Sequence, residues 1–206
     1  MRTAVAMALV LAVANCMAQD ANARLRAELE TINELDQRDR ENIGAYPLGS
    51  AARDSVVIHM VLQDSLNTAR ITAIIDSAGW LGPDDVGSDA SSTLWLVLQH
   101  ADLPVQERYL PEMRLAVTEG KALASHLAYL EDRIEMRNGR PQIYGSQVLM
   151  KDGQAAFAPI RDEEQVNERR ASVGLGPLED YAAQFGIVWS PAKKQERVLL
   201  LAPAKP

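Results

Sequence analysis

His100 is the residue best placed to do chemistry, because it directly follows Gln99 and the apolar run 94–98. That run reads as a central buried helix, so the imidazole falls at the edge of a core and at a helix C-terminus. A helix C-terminus favours the protonated ring and burial the neutral one, a balance that suits a general base. The competing reading is a histidine that caps the last carbonyls and fixes the turn "HADLP". A second set lies in "LEDRIEMRNGRPQIYGSQV", residues 130–148, where Asp132, Arg133, Arg140, Gln142, Tyr144 and Gln147 crowd a helix end and the start of a hairpin.

Arg133 is the better pocket candidate of the Asp132–Arg133 pair. At about 100° per residue, His126, Tyr129 and Arg133 share one flank of their helix while Asp132 points elsewhere. Asp132 reads either as an acid or as the partner of Arg140, Arg169 or Arg170 in a salt network. Gln142 and Tyr144 face one side of an extended strand and Gln147 the other, unless Gly145 bulges and brings all three towards the helix ends. Buried amides without partners cost roughly 1–3 kcal/mol each, so these side chains demand backbone, arginine or ligand partners.

Other chemistries lack their patterns. His59, His100 and His126 are widely spaced, with no HxxxH, HxxE or CxxC, so no metal and no cofactor is expected. There is no G-x-S-x-G elbow for a hydrolase triad, although Ser146 sits in the polar stretch. Gly174, Gly176 and Pro177 form a turn without the spacing of a phosphate loop.

The chain opens MRTAVAMALVLAVANCMAQDANA, with Arg2 ahead of an apolar run and then small residues. This composition predicts a secretory signal peptide over residues 1–18, cut after Ala18 or after Ala14. Lipidation of Cys16 is the less favoured alternative, since Asn15 is large for that position. Export to a periplasm or cell envelope follows. Cys16 is the single cysteine and leaves with the signal, so the mature chain has neither a disulfide nor a thiolate nucleophile. Removing 18 of 206 residues and one basic side chain leaves 188 residues and takes the formal charge from −7 to −8. That length fits one domain, and that charge argues against nucleic acid as a partner.

The elements that must position these residues are mostly helices. Leu25, Leu29, Ile32 and Leu35 give helical periodicity over residues 21–41, and "LDQRDRE" at its end reads as a solvated charged face. A loop with Gly44, Pro47 and Gly49 follows. A second helical region starts near Asp54, with Asp64 or Ser65 capping a fresh segment whose stripe is Leu66, Ile71, Ile74 and Ile75. Gly79 suits the residue past its end, with Trp80 packing back. Asp89 caps the buried helix that leads to His100. Pro104 opens a further helix, in which Pro111 predicts a kink or a split. Residues 121–137 form the next, with Leu123, Leu127, Leu130 and Ile134 inward, stopped by Asn138-Gly139.

Asp152-Gly153 between two extended runs is a hairpin signal. A short helix, a Gly-Pro turn and a last helix near 178–185 complete the chain, and residues 191–206 read as a tail or an added strand. The fold class is mainly α: a single compact multi-helix domain over 19–190 with one small β-hairpin near 142–160, and no transmembrane segment in the mature form.

The segments "LDQRDR", "GWLGPDDVG", "WLVLQHADLPVQ", "AYLEDRI", "RPQIYGSQV" and "NERRASVGLGPLEDY" together resemble a family of bacterial proteins known only as a domain of unknown function, often in exported or envelope proteins. The likeness covers about residues 25–181. Its most specific parts are the Gln-His pair, the Asp-Arg pair, the Tyr-Gly-x-Gln step and the Asn-x-Arg-Arg run. Ser146 stands where threonine is more usual, which keeps the hydroxyl. The resemblance implies a shared fold and a shared polar site and carries no activity with it.

Two functional expectations follow. In one, an exported binding or interaction module uses Gln99, His100, Arg133, Gln142, Tyr144 and Gln147 to hold a polar small molecule, a peptide or an envelope protein. In the other, a metal-independent hydrolase or transferase uses His100 as base and Arg133 to stabilise developing negative charge. If these side chains prove buried and fully paired, the cluster is a structural network.

Overall fold

The computed structural model describes residues 2–151 and 153–191, with the backbone alone for 2–16, 18 and 151. The expected tail or strand beyond residue 191 lies outside the described residues. Within them are eight α-helices and one two-stranded antiparallel sheet, a mainly α architecture. No helix among the described residues is long and apolar enough to cross a membrane. The chain divides into two compact units, residues 1–105 with 111–122, and residues 106–110 with 123–206.

The first unit is organised by three long helices. Helix α1 runs Arg2–Asn42, so the helix expected from residue 21 is continuous with the backbone of the N-terminal apolar run. After a 3-10 turn at Ile43–Ala45, α2 spans Ala51–Ala78 without a break. Ser50 caps it by accepting the Arg53 N–H at 3.2 Å, which satisfies one of the orphan donors of the first turn. Gly79, at φ 74°, ends it by donating to the Ile75 carbonyl. The break expected at Asp64 does not occur, because the Asp64 carboxylate is engaged by Arg40 rather than by α2's own backbone.

Helix α3, Pro83–Val86, is a single turn started by Pro83, with the Asp85 carboxylate accepting from the Gly82 N–H at 2.8 Å. Helix α4, Ser88–His100, follows Gly87 directly. Helices α1, α2 and α4 pack on one another, and α3 packs on α1 and α4. Leu29, Ile32, Ile71, Ile74, Leu94, Val97 and Leu98 fill this core. Leu66, expected in the α2 stripe, is 66% exposed, and the buried residue beside it is Asn67. Helix α5, Leu103–Thr118, continues through Pro111 as one element and does not split.

The second unit begins its own helices with α6, Ala124–Arg137. Leu123, expected inward, stands just outside the helix and is exposed. Ala128, Leu130, Asp132 and Ile134 are its buried residues, Leu130 and Ile134 on one side of the helix and Ala128 and Asp132 on another. Strands β1 (Val148–Lys151) and β2 (Gln154–Phe157) pair antiparallel, Val148 with Phe157 and Lys151 with Gln154, with Gly153 in a turn between them, the hairpin that Asp-Gly predicts. Residues 142–147 are not strand. They form a loop bent at Gly145 (φ 71°), with Gln142 bridging Ile160. Helices α7 (Val166–Ser172) and α8 (Leu178–Ala183) close the unit, Leu178 and Val166 contributing to its core.

The bend at Gly145 admits no side chain. A Cβ there would lie 2.9 Å from Ile160 Cδ1 and 3.0 Å from Leu178 Cδ2, in a backbone conformation that L-residues rarely adopt. Gly145→Ala is expected to cost about 2–3 kcal/mol, read as a lower urea midpoint at unchanged slope.

Candidate functional site

In the first unit, three helices each end a buried stripe on a polar residue. On α1 the stripe Leu29, Ile32 continues to Asp36, which is 1% exposed although the surrounding "LDQRDRE" reads as solvated. On α2 the stripe Ile74, Ile71, Asn67 continues to Asp64. On α4 the buried positions Thr93 and Val97 lead to His100. The solvated-face reading therefore fails for Asp36, since helical spacing carries the inward face one turn past Ile32.

His100 Nδ1 lies 3.0 Å from Asp36 Oδ1. A carboxylate only accepts, so this contact places the proton on Nδ1 and leaves the lone pair of the neutral ring on Nε2. No described residue bonds Nε2, and the His100 side chain is 18% exposed against 0% for Asp36. Gln37 Nε2 donates to the other carboxylate oxygen, Asp36 Oδ2, at 2.7 Å. Arg40 Nη1 donates to the Asp36 carbonyl at 2.6 Å and stands 3.5 Å from Oδ1, while Nη2 reaches both oxygens of Asp64 at 2.7 Å. The result is one network in which a buried carboxylate fixes an imidazole and an arginine ties two carboxylates together. Gln99, also buried, precedes His100 on α4.

The other expected site residues, Arg133, Gln142, Tyr144 and Gln147, belong to the second unit, and the fold brings Gln142 and Gln147 together. The buried Gln142 amide donates to the carbonyls of Gln147 (3.0 Å) and Ala158 (2.8 Å) and accepts the Gln147 N–H at 2.6 Å. The Gln147 side chain donates to Ser146 Oγ at 3.0 Å. Tyr144 turns away from them, its hydroxyl directed at Glu131 at 3.4 Å, and burial raises its phenol above the ordinary value. Arg133 is half-buried on α6, close enough to Tyr181 for its charge to draw that phenol down against the larger upward effect of burial.

Asp132 and Arg170 grip the same loop from its two chemical sides. Asp132 Oδ1 accepts the N–H groups of Ile143 (2.6 Å) and Tyr144 (2.9 Å), and Oδ2 accepts that of Ser146 (2.8 Å). Arg170 donates to the Tyr144 carbonyl at 2.9 Å, Arg169 to that of Ile143 at 2.7 Å, and the Tyr181 hydroxyl to that of Ser146 at 3.0 Å. Arg170 also stacks over the Tyr181 ring at 5.2 Å, and burial lowers its hold on its proton. Burial likewise lowers the His126 imidazole.

Asp36, Arg40 and Asp64 are the residues that local sequence reading misses. Their signal is stripe continuation: each lies three or four residues past a buried position on its own helix. No curated protein and no solved structure matches the chain. Residues 23–188, which include every side chain described above, match the family of unknown function DUF6624, and the chain belongs to that family.

Proposed function

We propose that this protein is an exported periplasmic or envelope binding module, and that its ligand meets the network around His100. One observation carries this reading: Nδ1 is held by a buried carboxylate, while Nε2 lies on a partly exposed ring and has no partner among the described residues. Fixing one ring nitrogen is how proteins aim the other at something outside the fold. The composition of residues 1–18 supports export. The hydrogen bonds of Gln142 and Gln147 go to the backbone and to Ser146, which supports a structural part for those two amides.

A second reading uses the same ring as a general base. An imidazole oriented by a carboxylate suits proton abstraction at Nε2, as a hydrolase or transferase needs. One experiment addresses the site in either reading. A strain lacking the gene is complemented with the wild-type chain, His100→Ala or His100→Gln, and each purified protein is melted. Both variants are expected to melt within a few degrees of wild type and to fail to restore the strain. Full restoration by folded His100→Ala would overturn both readings.

A further inference from the structure

The ligand-type side chains that show no local metal pattern meet through the fold. One ligand atom each from Asp36, Asp64 and His100, on three different helices, lies within 4.8 Å of the others. We infer that these three side chains form a site for a divalent transition-metal ion, bound on the Nδ1 edge of the ring that faces Asp36; this names a ligand of the network around His100 and rests on the reading of that network as a binding centre, with Nε2 left facing outward. Two carboxylates with one imidazole suit first-row transition ions, whereas magnesium and calcium prefer all-oxygen shells.

Two observations beyond the clustering point to a ligand. Gln37 Nε2 holds Asp36 Oδ2 at 2.7 Å, while Oδ1 is the oxygen turned towards His100. That is the outer-shell hydrogen bond by which proteins orient a ligating carboxylate. Asn67 is 3% exposed and lies one turn beyond Asp64 on the inward face of α2, with its Oδ1 taken by Gln63. Its Nδ2 has no partner among the described residues. A buried donor left so is costly, and on this face it suits an oxygen of a metal-bound water.

Charge favours the same ligand. Asp36 and Asp64 bring two negative charges and Arg40 one positive, so with a neutral imidazole the group carries one net negative charge. Arg40 competes with the ion, since Nη2 occupies both oxygens of Asp64. On binding, His100 Nδ1 gives its proton to solvent while Nε2 takes one up, so the ring stays neutral and Nδ1 coordinates the ion. Asp64 exchanges part of its bonding with Arg40 for the metal, and nothing is oxidised or reduced.

The test is titration of the chelator-treated full chain with Co²⁺, followed by displacement with Zn²⁺. The expected result is one equivalent of Co²⁺ with a visible absorption band that Zn²⁺ abolishes. Asp64→Asn and His100→Gln should lose the band, and Arg40→Gln, freed of the competing cation, should bind about tenfold tighter. Melting of each variant reports its folding, and the wild-type stoichiometry decides the matter where a variant does not fold. No saturable binding by wild type, binding that survives in folded Asp64→Asn and His100→Gln, or weaker binding by folded Arg40→Gln overturns the assignment. If wild type binds no Co²⁺ while His100→Ala still fails to restore the strain, the metal falls and the binding centre stands. If Co²⁺ binds as expected and His100→Ala restores the strain, the metal site stands and the functional reading falls.

Discussion

Asp132→Ala is expected to destabilise the protein by about 3–5 kcal/mol, a fall in Tm of roughly 10 °C in a chain of this length. The carboxylate accepts three backbone N–H groups, and the loop that donates them is held from its other side by Arg169, Arg170 and Tyr181. Truncation leaves all three donors without acceptors, and the Ser146 donor is buried. Asp132→Asn keeps one oxygen for Ile143 and Tyr144 but turns an NH₂ towards the Ser146 N–H. Its cost is smaller, about 1–3 kcal/mol.

The same pair of proteins carries a pH signature. Burial raises the Asp132 carboxyl above its ordinary 3.8, and the N–H groups of Tyr144, Ser146 and Ile143 pull against that without outweighing it. With the folded value above the unfolded one, the folded state binds the extra proton in the window between them. This contribution is complete below the unfolded value and is lost as pH rises through the folded one. The stability gap between wild type and Asp132→Asn should therefore narrow as pH rises through that window, as urea titrations at a series of pH values would show. A gap that widens instead would mean the N–H donors dominate.

What the sequence made legible was whatever is written in neighbouring residues. Asp-Gly at 152–153 implied the hairpin, Gly79 the end of α2, Asn138-Gly139 the end of α6, and residues 94–98 a buried helix. Gly145 was readable as a bend because a glycine amid extended residues has few other uses. The site was legible only in part, because its members are brought together by tertiary packing. His100 stood out through its place after an apolar run. Asp36 sits among charges and Asp64 beside a serine, so composition pointed to solvent and to a cap. The periodicity that revealed Leu29 and Ile32 as core applied equally to Asp36, but a carboxylate is rarely expected on such a stripe. Asp132 had the same disguise: its partners are backbone N–H groups eleven to fourteen residues away, which leave no mark in side-chain pattern.

Asp36→Ala should be the most damaging single change in the first unit's network, at about 3 kcal/mol. Its side chain is fully buried, and removing it strands the Gln37 amide and the His100 Nδ1–H together. Arg40 suffers less, because it keeps both oxygens of Asp64 and the Asp36 backbone carbonyl. His100→Ala should cost nearer 1 kcal/mol, since the ring is partly exposed and Asp36 retains Gln37 and Arg40. If the two residues act as a unit, the double variant should cost less than the two single losses added together. A coupling energy of about 1 kcal/mol is expected from a double-mutant cycle in urea. Additivity within error would mean that the carboxylate is stabilised by Gln37 and Arg40 alone, and that His100 is held in place by packing. Coupling of the expected sign would instead show the carboxylate fixing the imidazole in solution, which is the condition for Nε2 to be aimed at anything at all.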